Sequence, residues 1–578
     1  MYTDKTSQLP LAGVHHSPPS RLWWSRYKAL LVLLPGFYFL LTYHQVPLIS
    51  TKGTTSFCPE VAKINPLDVI YSQETLQMLL HNQTFKLESA KRLAAAIQVP
   101  TEVHDDMLNP NTTDSYDDLY KLEPAWKNFE FFHSFLEETY PLVHKHLKVE
   151  KVNKFSLVFT WQGSDSTKKP LMLTAHQDVV PVQKETIPQW DYPPFEGVIA
   201  NGSVHGRGAS DCKNLLTGLM DTIELLLAEG QFSPERTVIL AFGYDEESEG
   251  TGAVAISEFL LERYGKDSMY QIIDEGGSGF TEQNGVNFIL PATAEKGHLD
   301  NIIELYTPGG HSSVPPPHTS IGIISELVSL VEKTPFDSII TPRNPVLGML
   351  QCVAEHSDID KSMKSTILKA HVDKKANKNL LKYLSKEIRT KYLVTTSQAT
   401  DIISGGAKAN ALPEHAQVLI NSRVAVEESI KSTSDKILGN VLSIAHRFDL
   451  GVYFEGEQLL APTENGYFNY TLFSPLEPAP VTPMYSDVWN TFGGSLRFLY
   501  EDLVFPQDDK KFVFAPYLST GNTDTKCYWD LTANIFRYMP GFPGPDRHVH
   551  SVSEFVPIES HSLIVAFYYY YIQLVDKK

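Results

Sequence analysis

Residues 169–180 read KPLMLTAHQDVV, residues 214–230 read NLLTGLMDTIELLLAEG, and residues 237–250 read TVILAFGYDEESEG. The first and last are short apolar runs bounded by turn residues, which is how strands read. The middle one is too long for a strand and stops at Gly230, which marks a helix and its end. KFSLVFTWQG at 154–163 adds a further strand. Strands alternating with helix predict an α/β core with a largely parallel central sheet.

Outward from that core, residues 297–456 change rhythm. HLDNIIELYTPGG reads as a strand closed by a glycine turn, IGIISELVSLVEKT as a helix, and ALPEHAQVLINSRVAV as a strand with one polar face. ESIKSTSDKILGNVLSIAHRFD then reads as a helix and GVYFEGE as a last strand. That order predicts a small α+β domain inserted into the larger one, between a first part at 50–296 and a second at 457–578. The lysine-rich KAHVDKKANKNLLKYLSKEIRTK within it reads as a solvated helical insertion. SQETLQMLLHNQ and LESAKRLAAAIQ read as helix ahead of the core, and GRGASD fits neither a GxGxxG nor a phosphate-loop pattern.

A chain of 578 residues exceeds one ordinary core, so several domains are expected. Its net charge of −19, without a basic stripe, excludes nucleic acid as the natural partner. The cysteines are Cys58, Cys212, Cys352 and Cys527, with no CxxC pair. Neither a thiolate zinc site nor a disulfide framework is expected from them. Cys212 reads as a small buried residue.

Ala29 to Tyr43 run ALLVLLPGFYFLLTY without a charge, and the stretch continues to Ile49. It predicts a signal anchor at 29–49 behind a cytosolic tail at 1–28, since a bilayer takes about 20 residues. Arg21, Arg26 and Lys28 precede it, which puts the rest of the chain in a lumen or outside, a single-pass type II arrangement. Asn82, Asn111, Asn201 and Asn469 each begin an N-x-Ser/Thr acceptor, in agreement with a lumenal body.

The chemistry-bearing residues are dispersed. His176 and Asp178, two apart at a strand end, share a face, so one can bind a metal while the other orients it. Asp211 in GRGASDCKN could bridge two metals with its two oxygens, or simply cap the following helix. Glu246 and Glu247 are adjacent, so one can ligate while the other acts as general base. Asp274 in IIDEGG has Glu275 beside it, and His550 in DRHVHSVSE has His548 beside it. Each segment is unremarkable alone: a chance surface pair, a helix cap and an acidic loop account for them one by one.

Together with WDYPPFEG, TAEKG, GGHSSVPPPHTSIG and GNTDTKCYW, these segments resemble the aminoacylase and carboxypeptidase family of di-zinc metallopeptidases from about residue 155 to 560. The resemblance implies two zinc ions per subunit. One would be held by His176 and Asp274, the other by Glu247 and His550, with Asp211 bridging; Glu275 competes with Asp274 for its place. Glu246 would be the general base and Asp178 the support of His176. A cis peptide would follow Asp211.

The inserted domain would be a lid and dimerisation domain. His311 would reach the oxyanion from a partner subunit, and Asn410 and Arg423 would contact substrate. Thr523 and Asp524 would line the site. Gln177 stands where relatives carry a smaller residue and should point away from the metals. The implied activity is hydrolysis of the C-terminal peptide bond of short peptides by metal-activated water, in the vacuolar lumen of a fungal cell. Hydrolysis or synthesis of N-acyl amino acids is the alternative, and an inactive membrane-anchored binding protein the reading from another class.

Overall fold

The computed structural model describes residues 56–507 and 510–578. The expected tail and anchor at 1–28 and 29–49 lie outside the described residues. Among the described residues no helix is long and apolar enough to cross a membrane.

An eight-stranded sheet carries the larger part of the molecule. Its four middle strands, Val238–Gly243, Leu171–His176, Gln271–Ser278 and Ile535–Met539, run parallel in that spatial order. Every residue of Leu171–His176 and Val238–Gly243 is buried, because helices cover both faces. Leu171, Leu173 and Ala175 meet the helices Lys213–Glu229 and Ile558–Asp576. Met172 points the other way, toward Ile256 and Leu260 of the helix Thr251–Tyr264. Gly218 permits the first helix pair to approach, since a Cβ there would stand 2.7 Å from Ile564.

The expectation of a largely parallel sheet holds only in this middle. At one edge Lys148–Val152 and Ser156–Trp161 form a hairpin, and the hairpin pairs antiparallel with Val238–Gly243. Asn153 and Lys154 both turn at positive φ, a tight reversal that allows no parallel partner. Toward the other edge Ala292–Glu295 pairs antiparallel with Ile535–Met539 and parallel with Tyr517–Ser519. The sheet is mixed.

A separate six-stranded sheet follows the order Ala399–Gly405, His415–Val424, Gly297–Tyr306, Tyr467–Leu476, Gly451–Phe454, Glu457–Leu460. Burial alternates strictly along Gly297–Tyr306, and its inner face packs on the helices Ser320–Lys333 and Ile430–Phe448. The strand Tyr467–Leu476 lies inside this sheet, so the sheet runs past the expected boundary at 456. Chain leaves and re-enters side by side, and a Cβ on Gly297 would stand 2.5 Å from the carbonyl oxygen of Leu476. The lysine-rich stretch forms the helix Lys374–Leu384, with Leu380 and Leu384 buried and its lysines outward.

Cys58 and Cys352, 294 residues apart, form a disulfide that their spacing did not predict. Cys212 is fully buried, as expected.

Candidate active site

Parallel strands end on one edge of a sheet, and in open α/β sheets that edge is where sites form. His176 is the last residue of its strand, Asp274 and Glu275 sit midway along theirs, and Glu246 and Glu247 follow the strand Val238–Gly243 within a turn. Asp211 precedes the helix Lys213–Glu229 and is joined to Cys212 by a cis peptide bond. His550 arrives from the loop before the C-terminal helix.

Asp211 is the shared member. Its Oδ1 lies 3.1 Å from His176 Nε2 and its Oδ2 lies 3.0 Å from His550 Nε2. Glu275 Oε1 stands 3.2 Å from His176 Nε2, and Glu247 Oε2 stands 3.0 Å from His550 Nε2. Two ligand sets therefore meet on one carboxylate: His176, Asp211 and Glu275 on one side, with the buried Cys212 thiol beside them, and Asp211, Glu247 and His550 on the other. Ligands about 2.0–2.1 Å from a tetrahedral zinc are roughly 3.3 Å apart, so the residues present fit a pair of metal ions.

The charge balance points the same way. Hydrogen bonds to the Asp211 and Glu247 carboxylates push the His550 imidazole up to about 10. Burial works against ionised Asp211, yet its bonds to His176 and His550 hold it well below the usual carboxylate range. Burial pushes Glu246 and Glu275 well above it. So many acids around two histidines ask for added positive charge.

The supporting residues fix this geometry. His176 Nδ1 lies 3.0 Å from the Asp178 carbonyl oxygen and 3.3 Å from its Oδ1, leaving Nε2 for the cluster. Asp178 Oδ2 accepts from the backbone N–H of Glu247 at 3.0 Å, so one buried carboxylate braces a ligand on each side. Gln177 turns into the sheet, donating to the carbonyls of Phe155 and Phe242 and accepting from His133. It points away from the cluster.

Asp274 does not join the cluster. Its Oδ1 accepts from the backbone N–H of Glu275 at 2.8 Å, and its buried Oδ2 has no partner. The strand reaches a register shift against Ile535–Met539 at this point, and Gly276 lies tight against Arg537. That irregularity turns the neighbouring Glu275 toward His176.

A cleft of about 400 Å³ opens over the cluster, lined among others by Asp211, Glu246, Glu275, Asn522, Thr523 and His550. Thr523 lines it as expected. Asp524 does not: it is 3 % exposed, and its carboxylate turns inward against Gly243, where a Cβ would stand 2.5 Å from Oδ2. Arg423 reaches the cleft through Asn522, donating to its Oδ1 at 2.9 Å. His311 and Asn410 lie on an exposed two-stranded ribbon, Gly310–His311 against Ala411–Leu412, and do not line the cleft.

Glu554 escaped sequence reasoning. Its buried carboxylate accepts from the backbone N–H groups of Gly208, Ser210 and Asp211 at 3.1, 2.8 and 3.1 Å, and from Arg207 at 2.6 Å. It ties the loop of Asp211 to the loop of His550. Its position four residues after His550 was the available signal, but nothing local distinguished it from a surface acid.

Of the acceptor asparagines, Asn82, Asn111 and Asn201 are exposed. Asn469 is half-buried in its strand with its amide nitrogen donating to Glu304.

Two ligand sets sharing one carboxylate, on the strand-end edge of an α/β sheet and beneath an open cleft, define the class of two-metal hydrolases. The chain belongs to peptidase family M20/M25/M40, whose model matches residues 172–574. It is 39% identical to carboxypeptidase S of Saccharomyces cerevisiae, over 97% of this chain and 98% of that one. It is 30% identical to the human N-fatty-acyl-amino acid synthase/hydrolase, over 77% of this chain and 82% of that one. Among solved structures, an M20 family metallo-carboxypeptidase from Sulfolobus solfataricus superposes with a TM-score of 0.55 at 17% identity, covering 85% of this chain and 100% of that one.

Proposed function

We infer that this protein is a zinc-dependent metallocarboxypeptidase that hydrolyses the C-terminal peptide bond of short peptides. The observation that carries the reading is Asp211 shared between two ligand sets, with Glu246 in the same cleft. Full-length similarity to carboxypeptidase S supports the choice of substrate. His176, Asp211 and Glu275 would hold one zinc, and Asp211, Glu247 and His550 the other; Glu275 replaces Asp274 in this assignment. Two imidazoles with carboxylate oxygens suit zinc. When bound, such a pair polarises the scissile carbonyl and lowers the pKa of water toward about 7.

The chain's own residues do the rest. Glu246, partly buried and ionised only when positive charge stands beside it, takes the proton of the attacking water at its carboxylate. It then returns that proton to the leaving amine. Asp178 holds His176 in one orientation. The Arg423 guanidinium, half-buried beside Asn522, pairs with the C-terminal carboxylate of the substrate. His311 stabilises the oxyanion, and its exposed ribbon suits delivery from a second subunit. Thr523 lines the cleft and contacts substrate.

The similarity to an N-fatty-acyl-amino acid synthase/hydrolase supports a second reading, in which an acyl chain replaces the peptide. The apolar stretch at 29–49, read as a signal anchor, the exposed acceptors Asn82, Asn111 and Asn201, and the Cys58–Cys352 disulfide support an anchored, glycosylated body in an oxidising lumen, the vacuole in a fungal cell. Purified full-length enzyme should cleave N-blocked Gly-Leu and spare its C-terminal amide. Cleavage of N-palmitoyl-leucine but not of blocked Gly-Leu would transfer the assignment to the second reading.

A further inference from the structure

We propose that Arg547 and Ser278 form a carboxylate-binding subsite on the wall of the metal cleft, separate from Arg423. The inference rests on the hydrolase reading above for the molecule that brings the carboxylate.

Both residues line the cleft with Glu246, Glu275 and His550. Arg547 comes from the loop three residues before His550, and Ser278 ends the strand that carries Glu275. Arg423, by contrast, comes from the second sheet and reaches the cleft through Asn522.

The buried arginines near the site are neutralised. Arg207 pairs with Glu554, and Arg537 with Glu295. Arg547 is not: its Nη2 donates to the Phe542 carbonyl at 3.3 Å and to Ser560 Oγ at 3.2 Å, and both acceptors are neutral. Among the described residues no carboxylate is bonded to it. A guanidinium offers five N–H donors, so most of the fork stays open.

Ser278 Oγ is buried and has no hydrogen-bond partner. A buried hydroxyl left alone is costly and calls for an acceptor. Both donors converge on Gly541. A Cβ at that glycine would stand 2.6 Å from Ser278 Oγ and 3.2 Å from Arg547 Nη2. Gly541 thus lets the two donors stand close together, and a larger residue there would collide with both.

A planar, singly charged acceptor matches this pair. The fork of Arg547 takes two oxygens of a carboxylate, and Ser278 donates a third bond. A phosphate dianion fits less well, because Asp211, Glu246 and Glu275 crowd the same cleft with acid. Two carriers share the chemistry: an acidic side chain, or the terminal carboxylate of the leaving residue, which Arg547 would then hold in place of Arg423.

The test uses full-length, metal-loaded enzyme with Arg547→Gln, Ser278→Ala and, for comparison, Arg423→Gln. KM and kcat are read on blocked Gly-Leu, Glu-Leu and Gly-Glu, and binding of N-acetylleucine and N-acetylglutamate is read by calorimetry. Loss of a charged hydrogen bond corresponds to roughly a tenfold to hundredfold rise in KM or Kd. We expect that rise for Arg547→Gln and a smaller one for Ser278→Ala, which leaves the guanidinium on its two neutral acceptors. A rise on every substrate assigns the terminal carboxylate, and a rise confined to glutamate-containing ones assigns the side chain. Unchanged KM and Kd in both variants, or a fall in kcat alone, would overturn the subsite. Wild-type enzyme that binds the acyl amino acids yet cleaves no peptide would refute the peptidase reading while leaving the subsite measurable.

Discussion

The strand-end edge of the main sheet and the His311–Asn410 ribbon are built on opposite principles. At the edge, His176 is 1 % exposed in its side chain and Glu247 5 %, and both are braced by buried Asp178. On the ribbon, His311 is exposed, and its Nδ1 accepts only from Ser313 beside it. The edge is rigid because its groups must hold metal ions at fixed spacing. The ribbon is presented outward, and among the described residues the His311 ring is bonded only to Ser313. The candidate metal ligands gather at one sheet edge, while the ribbon stands apart from it.

The sharpest way to break this contrast is Glu246→Gln. Loss of a general base costs about 10²–10⁴-fold in rate. We expect kcat to fall by that order while metal content stays at the wild-type value. Next in size is the pair Glu275→Gln and Asp274→Asn. The first should lose metal from the His176 side, measured by metal analysis after dialysis, and the second should keep it. The reverse result would restore Asp274 as the ligand.

His311→Ala probes the ribbon. Removing an oxyanion donor costs about 10²–10³-fold in kcat, and metal content should not change because the residue lies outside both ligand sets. Smallest is Glu554→Gln. The amide nitrogen would face backbone N–H donors and leave Arg207 unpaired, so metal affinity should drop about 10–100-fold, the usual scale for a supporting partner. Metal release to a chelator, followed beside circular dichroism of the apo protein, reads this apart from unfolding.

Much of the edge was legible because ligand residues sit at the ends of strands whose apolar runs are unmistakable, as in LMLTAH and VILAFG. Gln177 illustrates the same logic: alternation along a strand sends it inward. The choice between Asp274 and Glu275 was not legible. It turns on a register shift opposite Arg537 and Tyr538, which no local pattern announces. Asp524 was misplaced for a similar reason, since only the small Gly243 across the fold lets its carboxylate turn inward.

The second sheet was readable from Gly297 onward, but its strand Tyr467–Leu476 pairs with a strand over 160 residues earlier. Sequence spacing carries no trace of such a pairing, nor of Cys58 finding Cys352. Antiparallel edges were missed because each strand reads alike in either direction.

The central claim is that one carboxylate joins two metal positions. Metal analysis of purified full-length protein and of Asp211→Ala tests it most directly. The account predicts about two zinc ions per chain in the wild type and loss of both from the folded variant. A folded wild type holding one ion or none, or an Asp211→Ala variant that keeps its full complement, would contradict it.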